Sequence, residues 1–135
     1  MGIPQHILNG RMDKAEESVL WFKNLFGEDY YLEIQRHETH DPNAAQDVYP
    51  HQVTANKAIL ELARKHNIKV IATNDVHFVN AEDAEAHDRL ICLSTGKDLD
   101  DPNRMRYTKQ EWMKTTAEMN TIFLIFLKPS ATHWK

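Results

Sequence analysis

The run Ile68-Lys69-Val70-Ile71-Ala72, and the polar hexapeptide that follows it directly, Thr73-Asn74-Asp75-Val76-His77-Phe78, constrain the fold more than any other stretch. β-branched side chains dominate the run, which predicts a buried strand. Helical spacing precedes it from Ala55 to His66 and follows it from Ala81 to Leu93. Helix, strand, polar tip and helix in that order imply an α/β protein with parallel strands. In such folds the chemistry gathers at the carboxyl ends of the strands. Asp75 and His77 are two residues apart, so both can project from one strand-end loop. A hard carboxylate oxygen beside an imidazole nitrogen suits zinc, manganese or iron. The other reading of the pair is local: Asp75 capping the loop and His77 an ordinary polar residue at the strand end. Asn74 is expected to make loop hydrogen bonds.

The remaining pattern alternates in the same way. Arg11 to Phe26 has a helical apolar stripe at Ala15, Val19, Phe22 and Phe26, widened by Leu20 and Trp21, with Gly27 as its stop. Tyr30 to Gln35 predicts a second strand. A polar loop with two prolines runs from His37 to Pro50, and a helix from Val53 to His66 carries Ala55, Ala58, Ile59, Leu62 and Ala63 on its inner side. Asn80 opens a third helix bearing Ala84, His87, Leu90, Ile91 and Leu93, and Gly96 ends it. After a charged connector, Thr108-Lys109-Gln110-Glu111 has the form of a capping box, predicting a fourth helix from there to about Phe123. The apolar run Ile122 to Leu127 is an aggregation hazard if exposed.

Composition narrows the function classes. The chain has 135 residues with 16 basic and 20 acidic side chains, a formal charge of −4. That balance gives no electrostatic sign of nucleic-acid binding. A complete (β/α) barrel needs roughly 200 residues, so a barrel-like fold would be present only in part. Cys92 is the single cysteine, which fits a reducing, cytoplasmic setting. The start, Met1 to Gln5, lacks the pattern of a leader peptide, and Ile122 to Leu127 is too short to span a bilayer.

Further candidate residues carry alternatives. Glu33 and His37 share one face of an extended strand, with His37 at its carboxyl end. Glu33 reads either as a site residue or as a buried, hydrogen-bonded carboxylate. His40, His51, His66 and His133 fall in loops, at helix ends or in the tail, and His6 in an unplaced segment. His87 reads as a core-side histidine with a hydrogen-bond partner. Cys92 reads as a small buried hydrophobe. Arg104, Arg106 and Lys109 form a basic cluster, expected as a solvated loop rather than a phosphate contact.

At Tyr31-Leu32-Glu33-Ile34-Gln35-Arg36-His37, Ala72-Thr73-Asn74-Asp75-Val76-His77-Phe78 and Ala86-His87-Asp88, the sequence closely resembles the PHP domain of bacterial DNA polymerase III alpha subunits. Leu99-Asp100-Asp101-Pro102-Asn103-Arg104 and Glu118-Met119-Asn120 carry the resemblance further, so that it runs from about Ile3 to about Asn120. The resemblance implies a distorted (β/α)7 barrel, parallel strands alternating with helices, with metal ions at the carboxyl ends of the strands. It implies a metal-dependent phosphoesterase and 3′–5′ exonuclease-type module at the amino-terminal end of a DNA-directed DNA polymerase, a nucleotidyltransferase. It places His37, Asp75 and His77 at metal-ligand positions, with zinc or manganese as the ion. Metal-activated water attacking a phosphodiester is the implied chemistry.

The family's opening histidine motifs and its following glutamate motif would fall upstream of Ile3, and the carboxylates of the polymerase centre well downstream. The expectation is therefore a piece of a larger protein. Residues 1–121 would be the carboxyl-terminal part of a PHP domain, and residues 122–135 an atypical apolar run and tail. Three ligands from two strands do not rebuild a multinuclear centre, so little or no activity is expected of the chain alone, and no residue is assigned a catalytic role. The implied partners are DNA and the other subunits of the polymerase III holoenzyme, with no membrane partner. Half a barrel also leaves a strand edge open for self-association. Two other readings stand beside this one. The first is a stand-alone PHP phosphatase of the histidinol-phosphatase kind, against which the connector Leu99 to Arg106 counts. The second is a non-catalytic support module of the polymerase.

Overall fold

The structure is a computed structural model that describes residues 2–126. Its elements are α1 (Ile3–Leu8), α2 (Met12–Phe26), β1 (Tyr31–Gln35), α3 (Val48–His66), β2 (Lys69–Thr73), α4 (Ala84–Thr95) and α5 (Thr116–Ile122), with short 3-10 turns at Gly27–Asp29, Ala81–Asp83 and Leu124–Phe126. The fold is α/β: β1 and β2 pair in parallel, Tyr31 opposite Lys69 through Gln35 opposite Thr73. A parallel pair requires a crossover, and α3 supplies it.

The chain divides into two compact units, residues 1–35 with 49–73 and residues 36–48 with 74–135. In the first, Leu32 and Ile34 of β1 and Ala55, Ile59, Leu62 and Ala63 of α3 are buried, with Ala15 and Val19 of α2 fully so. Polar ties bind α2 to α3. The His66 imidazole meets the Glu16 carboxylate at 2.7 Å, and the Lys23 ammonium donates to the His66 carbonyl. The Asn56 amide donates to the Gln35 carbonyl at 2.7 Å, fastening α3 to the end of β1. Asn67, at φ 51°, turns the chain from α3 into β2.

Several sequence expectations meet a different outcome. The strand at β2 is not buried: Ile71 is 45% exposed and Ala72 is also exposed. Its β-branched residues are strand formers, but the sheet has only two strands among the described residues, so no second layer covers them. The stripe on α2 is buried only at Ala15 and Val19, while Leu20, Trp21, Phe22 and Phe26 stay exposed, the rings of Trp21 and Phe22 packing edge to face at 4.9 Å. On α4 the buried residues are Ala84, Asp88 and Cys92, and Leu90 and Leu93 face solvent. Helix α3 starts at Val48, five residues before the expected Val53.

The second unit corrects the expected fourth helix. Only half of that capping box forms: Glu111 Oε1 accepts from the Thr108 N–H at 3.0 Å and from the Thr108 hydroxyl, but Thr108 Oγ1 accepts from the Gln110 N–H, at 3.2 Å, rather than from that of Glu111. No helix follows, because Lys109 adopts φ 65° and Trp112 forms a parallel bridge with Phe78. Helix α5 begins only at Thr116, behind a second box in which the Thr115 N–H donates to Glu118 Oε2 at 2.8 Å. Of the apolar run, Phe123 is buried and Leu124 and Ile125 are exposed. Leu127 and the tail, with His133, lie outside the described residues.

Replacing Leu32 by Ala should lower the stability of the chain by about 2–5 kcal/mol, since it empties a buried position. Ile71→Ala should change it by no more than about 0.5 kcal/mol. Urea unfolding of the two variants checks the contrast, and equal losses would return β2 to the core.

Candidate metal centre at the strand-end loop

Asn74 follows β2 directly and is buried. Its amide nitrogen donates to the Gln110 carbonyl at 2.9 Å and to the Trp112 carbonyl at 2.7 Å. Its own carbonyl lies 3.0 Å from Nε2 of His37, which is 3% exposed. The sequence expectation that Asn74 makes loop hydrogen bonds holds. A carbonyl oxygen only accepts, so His37 donates through Nε2–H to Asn74.

Asp75 comes next, in the left-handed region at φ 47°. Asp tolerates that conformation better than most residues, and strained backbone of this kind concentrates at functional sites. The turn it makes lets the His77 N–H reach the Glu111 carbonyl at 2.8 Å, and the Met113 N–H reach the Phe78 carbonyl at 3.1 Å. The His77 ring is fixed as well. Its Nδ1 lies 2.6 Å from the Asp75 carbonyl and 4.0 Å from the Asp75 carboxylate. Nδ1 is therefore the protonated nitrogen, and in the neutral ring Nε2 carries the lone pair. The ring packs 4.7 Å from that of Tyr107 and 5.6 Å from that of His87.

A buried ion pair anchors the helix behind this loop. Arg104 donates to both oxygens of Asp88 at 2.6 and 2.8 Å, with side chains 2% and 10% exposed. Arg104 also donates to the Leu99 carbonyl at 2.8 Å. The bidentate guanidinium holds the Asp88 carboxyl below the usual carboxylate range against the opposing effect of burial. Lys109 joins Asp41, at 3.0 Å, to Glu85. Burial pulls its ammonium pKa down, but Glu85 and Asp41 outweigh this and leave it raised. Arg106 donates to the Asn43 carbonyl at 3.1 Å, and the Ala45 N–H to the Tyr107 carbonyl at 2.9 Å. The expectation of a solvated basic loop thus fails at Arg104 and Lys109, which are structural ion-pair residues. Nothing local in the sequence announces an Asp88–Arg104 contact across sixteen residues of connector.

The other candidates are placed as follows. Glu33 is exposed, not buried, and accepts from the Thr73 hydroxyl and from Gln35 at 3.0 Å. His40 lines a polar cavity of about 250 Å³ with Arg36, Glu38, Gln110, Thr121 and Ile122. His51 is exposed, His6 half-buried on α1, and Cys92 buried on α4. His87 is half-buried among the rings of His77, Phe78 and Tyr107. Tyr107, which sequence reasoning did not single out, packs against both histidines.

In kind, His37, Asp75 and His77 are donors for a zinc or manganese ion. In arrangement they are incomplete, since no three His, Cys, Asp or Glu side chains gather as a ligand set among the described residues. Asp75 and His77 share one loop, whereas His37 joins that loop through the Asn74 carbonyl rather than through a common open position.

What stands here is a parallel α/β piece whose second strand is followed in sequence by an acid–imidazole loop. The chain is 38% identical over 122 residues to DNA polymerase III subunit alpha of Borreliella burgdorferi, covering 90% of this chain and 10% of that protein. It is 38% identical over 112 residues to the protein of that name from Campylobacter jejuni, with 82% and 8% covered. For the Thermus aquaticus protein the identity is 37% over 121 residues, with 89% and 9% covered. The chain thus matches DNA polymerase III subunit alpha over a small part of it, about a tenth of the length of these curated relatives. No family model matches the chain. No helix of the described residues is long and apolar enough to cross a membrane.

The Asp88 linkage sets a pH dependence. A carboxyl depressed in the native state contributes stability that is complete above the unfolded value of about 3.9 and is lost as pH falls through the lower native value. Asp88→Asn leaves the Arg104 charge buried and unpaired, and should cost about 3–5 kcal/mol near neutral pH. Urea midpoints followed into acid should fall less steeply for Asp88→Asn than for the parent chain. Parallel curves would show that the pair carries none of the acid sensitivity.

Proposed function

We propose that this chain is part of the PHP domain of a bacterial DNA polymerase III alpha subunit. Residues 1–121 form the carboxyl-terminal part of that domain, and residues 122–135 an apolar run and tail. The observation that carries the reading is the 38% identity over 122 residues, nine-tenths of the chain, to a protein of that name. The parallel β1–β2 pair joined through α3 is one step of a (β/α)7 barrel. The parent is a DNA-directed DNA polymerase of the cytoplasm, and its partners are DNA and the other holoenzyme subunits.

In that protein the loop after β2 and the residue after Arg36 supply His37, Asp75 and His77 toward a divalent metal, zinc or manganese. Bound there, the ion would supply Lewis acidity toward a phosphodiester and a nucleophilic water at neutral pH. This chain's own part is orientation. The Asp75 carbonyl fixes the His77 tautomer with Nε2 outward, the arrangement that backbone carbonyls impose on metal-binding histidines. Asn74 holds the loop that carries both residues. The ligand set is not complete in the chain, which is therefore inactive by itself. The open edges of the two-stranded sheet offer it a route to self-association.

A support role is favoured by one observation. His37 is buried with Nε2 donating to the Asn74 carbonyl, which makes it a structural hydrogen-bonding residue as it stands.

The experiment is a nuclease assay of the purified chain on a 3′-labelled single-stranded oligonucleotide with manganese or zinc. The expected result is no hydrolysis above buffer, unchanged by His77→Ala. Robust hydrolysis by the parent chain that disappears in His77→Ala would mean that the site is complete here, and would sink the inactivity.

A further inference from the structure

Helix α2 buries Ala15 and Val19, yet a second apolar patch on it stays uncovered. Trp21 and Leu25, one turn apart, are 60% and 59% exposed, and Phe22 and Phe26 beside them are exposed too. At about 3.6 residues per turn, Lys14, Ser18, Trp21 and Leu25 fall on one line, about a third of a turn round the helix from the buried pair. The rings of the patch are set against one another. Trp21 meets Phe22 edge to face at 4.9 Å, and Phe22 stacks on Tyr30 at 5.6 Å and on Phe26 at 6.5 Å. Apolar residues exposed singly are ordinary, whereas a contiguous patch marks an interaction surface. A ring already held in place loses little freedom when a partner covers it, so its burial converts efficiently into affinity.

The charges at the ends of the patch select the partner. Lys14 and Glu28 are exposed and lie equally far along the chain from Trp21, one on each side. Two copies of α2 crossing antiparallel about a two-fold axis at Trp21 bring Lys14 of each toward Glu28 of the other, with Asp29 next to it. A parallel pairing would set Lys14 against Lys14 and Glu28 against Glu28. The present partner of Lys14 is Glu17, at 3.0 Å in a solvent-exposed pair that costs little to exchange. Glu28 and Asp29 also count against an anionic lipid surface, which attracts lysine and arginine.

From this arrangement we infer that the exposed face of α2 is a homodimer interface. Helix α2 of one copy packs antiparallel on that of a second, with Trp21 at the two-fold axis, Leu25 beside it and a Lys14–Glu28 pair at each end. The contact lies within the first unit. It uses none of the strand-end donors and neither open edge of the sheet, so it stands apart from the metal reading and from strand pairing.

The test is sedimentation equilibrium of the full chain from about 1 μM to 1 mM, the range over which weak interfaces dissociate. Folding of each variant is checked by circular dichroism. The expected result is a reversible monomer–dimer equilibrium, weakened roughly thirtyfold or more in Trp21→Ala, the loss typical of a central aromatic anchor. Lys14→Glu and Glu28→Lys should each weaken it roughly tenfold by placing like charges together, and the double variant should restore it. Leu93→Ala, at an 80% exposed position of α4, should dimerise as the unsubstituted chain does. A folded chain that stays monomeric throughout overturns the inference and leaves the patch to a different partner. A dimer kept in Trp21→Ala also overturns it and assigns self-association to the strand edges. Failure of the double charge reversal to restore what the single reversals lose overturns the antiparallel pairing.

Discussion

The Asn74 side chain is the fastening on which the strand-end loop depends. One amide group joins the carbonyls of Gln110 and Trp112, and one backbone carbonyl receives His37. These three bonds bring together segments some forty residues apart in the chain, at a buried position where an unmade bond costs about 1–3 kcal/mol. Everything chemical in the second unit is arranged around them. Asp75 can turn through a left-handed conformation because the residue before it is fixed. His77 can then donate its N–H to Glu111 while its ring is locked to the Asp75 carbonyl. The loop is thus organised by hydrogen bonds rather than by apolar burial, and its two donors are set on a rigid frame.

The two units are held by different physics. The first rests on apolar contact, with β1 and α3 burying aliphatic side chains and α2 adding Ala15 and Val19. The second buries few large apolar residues among those described. In their place stand the Asp88–Arg104 pair, the Lys109 link between Asp41 and Glu85, and backbone bonds from Ala45, His77 and Met113. A buried ion pair is weak in net stabilisation but severe when broken, so it fixes position more than it adds stability.

The sequence made some of this legible and hid the rest for identifiable reasons. The parallel pair, the α3 crossover and the Asp75–His77 loop follow from local patterns: β-branched runs, helical spacing and a polar tip. The capping box at Thr108 formed only in the Glu111 side-chain half, and no helix grew from it. The left-handed Lys109 and the Trp112–Phe78 bridge are tertiary effects that override a local signal. The burial of β2 was overestimated because strand propensity says nothing about how many strands stand beside it. Arg104 was expected in a solvated loop and Tyr107 was not singled out, because their partners, Asp88 in one case and the two histidine rings in the other, lie in other segments with no fixed spacing. His37 was found at its strand end, but its hydrogen bond to Asn74 could not be read from the sequence.

The central claim is that Asn74 sets the geometry of the His77 loop. Amide hydrogen exchange of the parent chain and Asn74→Ala, followed residue by residue by NMR, tests it most directly. The account predicts that the His77 and Phe78 amides exchange much faster in the variant, while amides of β1 and α3 keep their protection. Unchanged exchange at His77 in a folded Asn74→Ala protein would contradict it, and would place the organisation of the loop elsewhere.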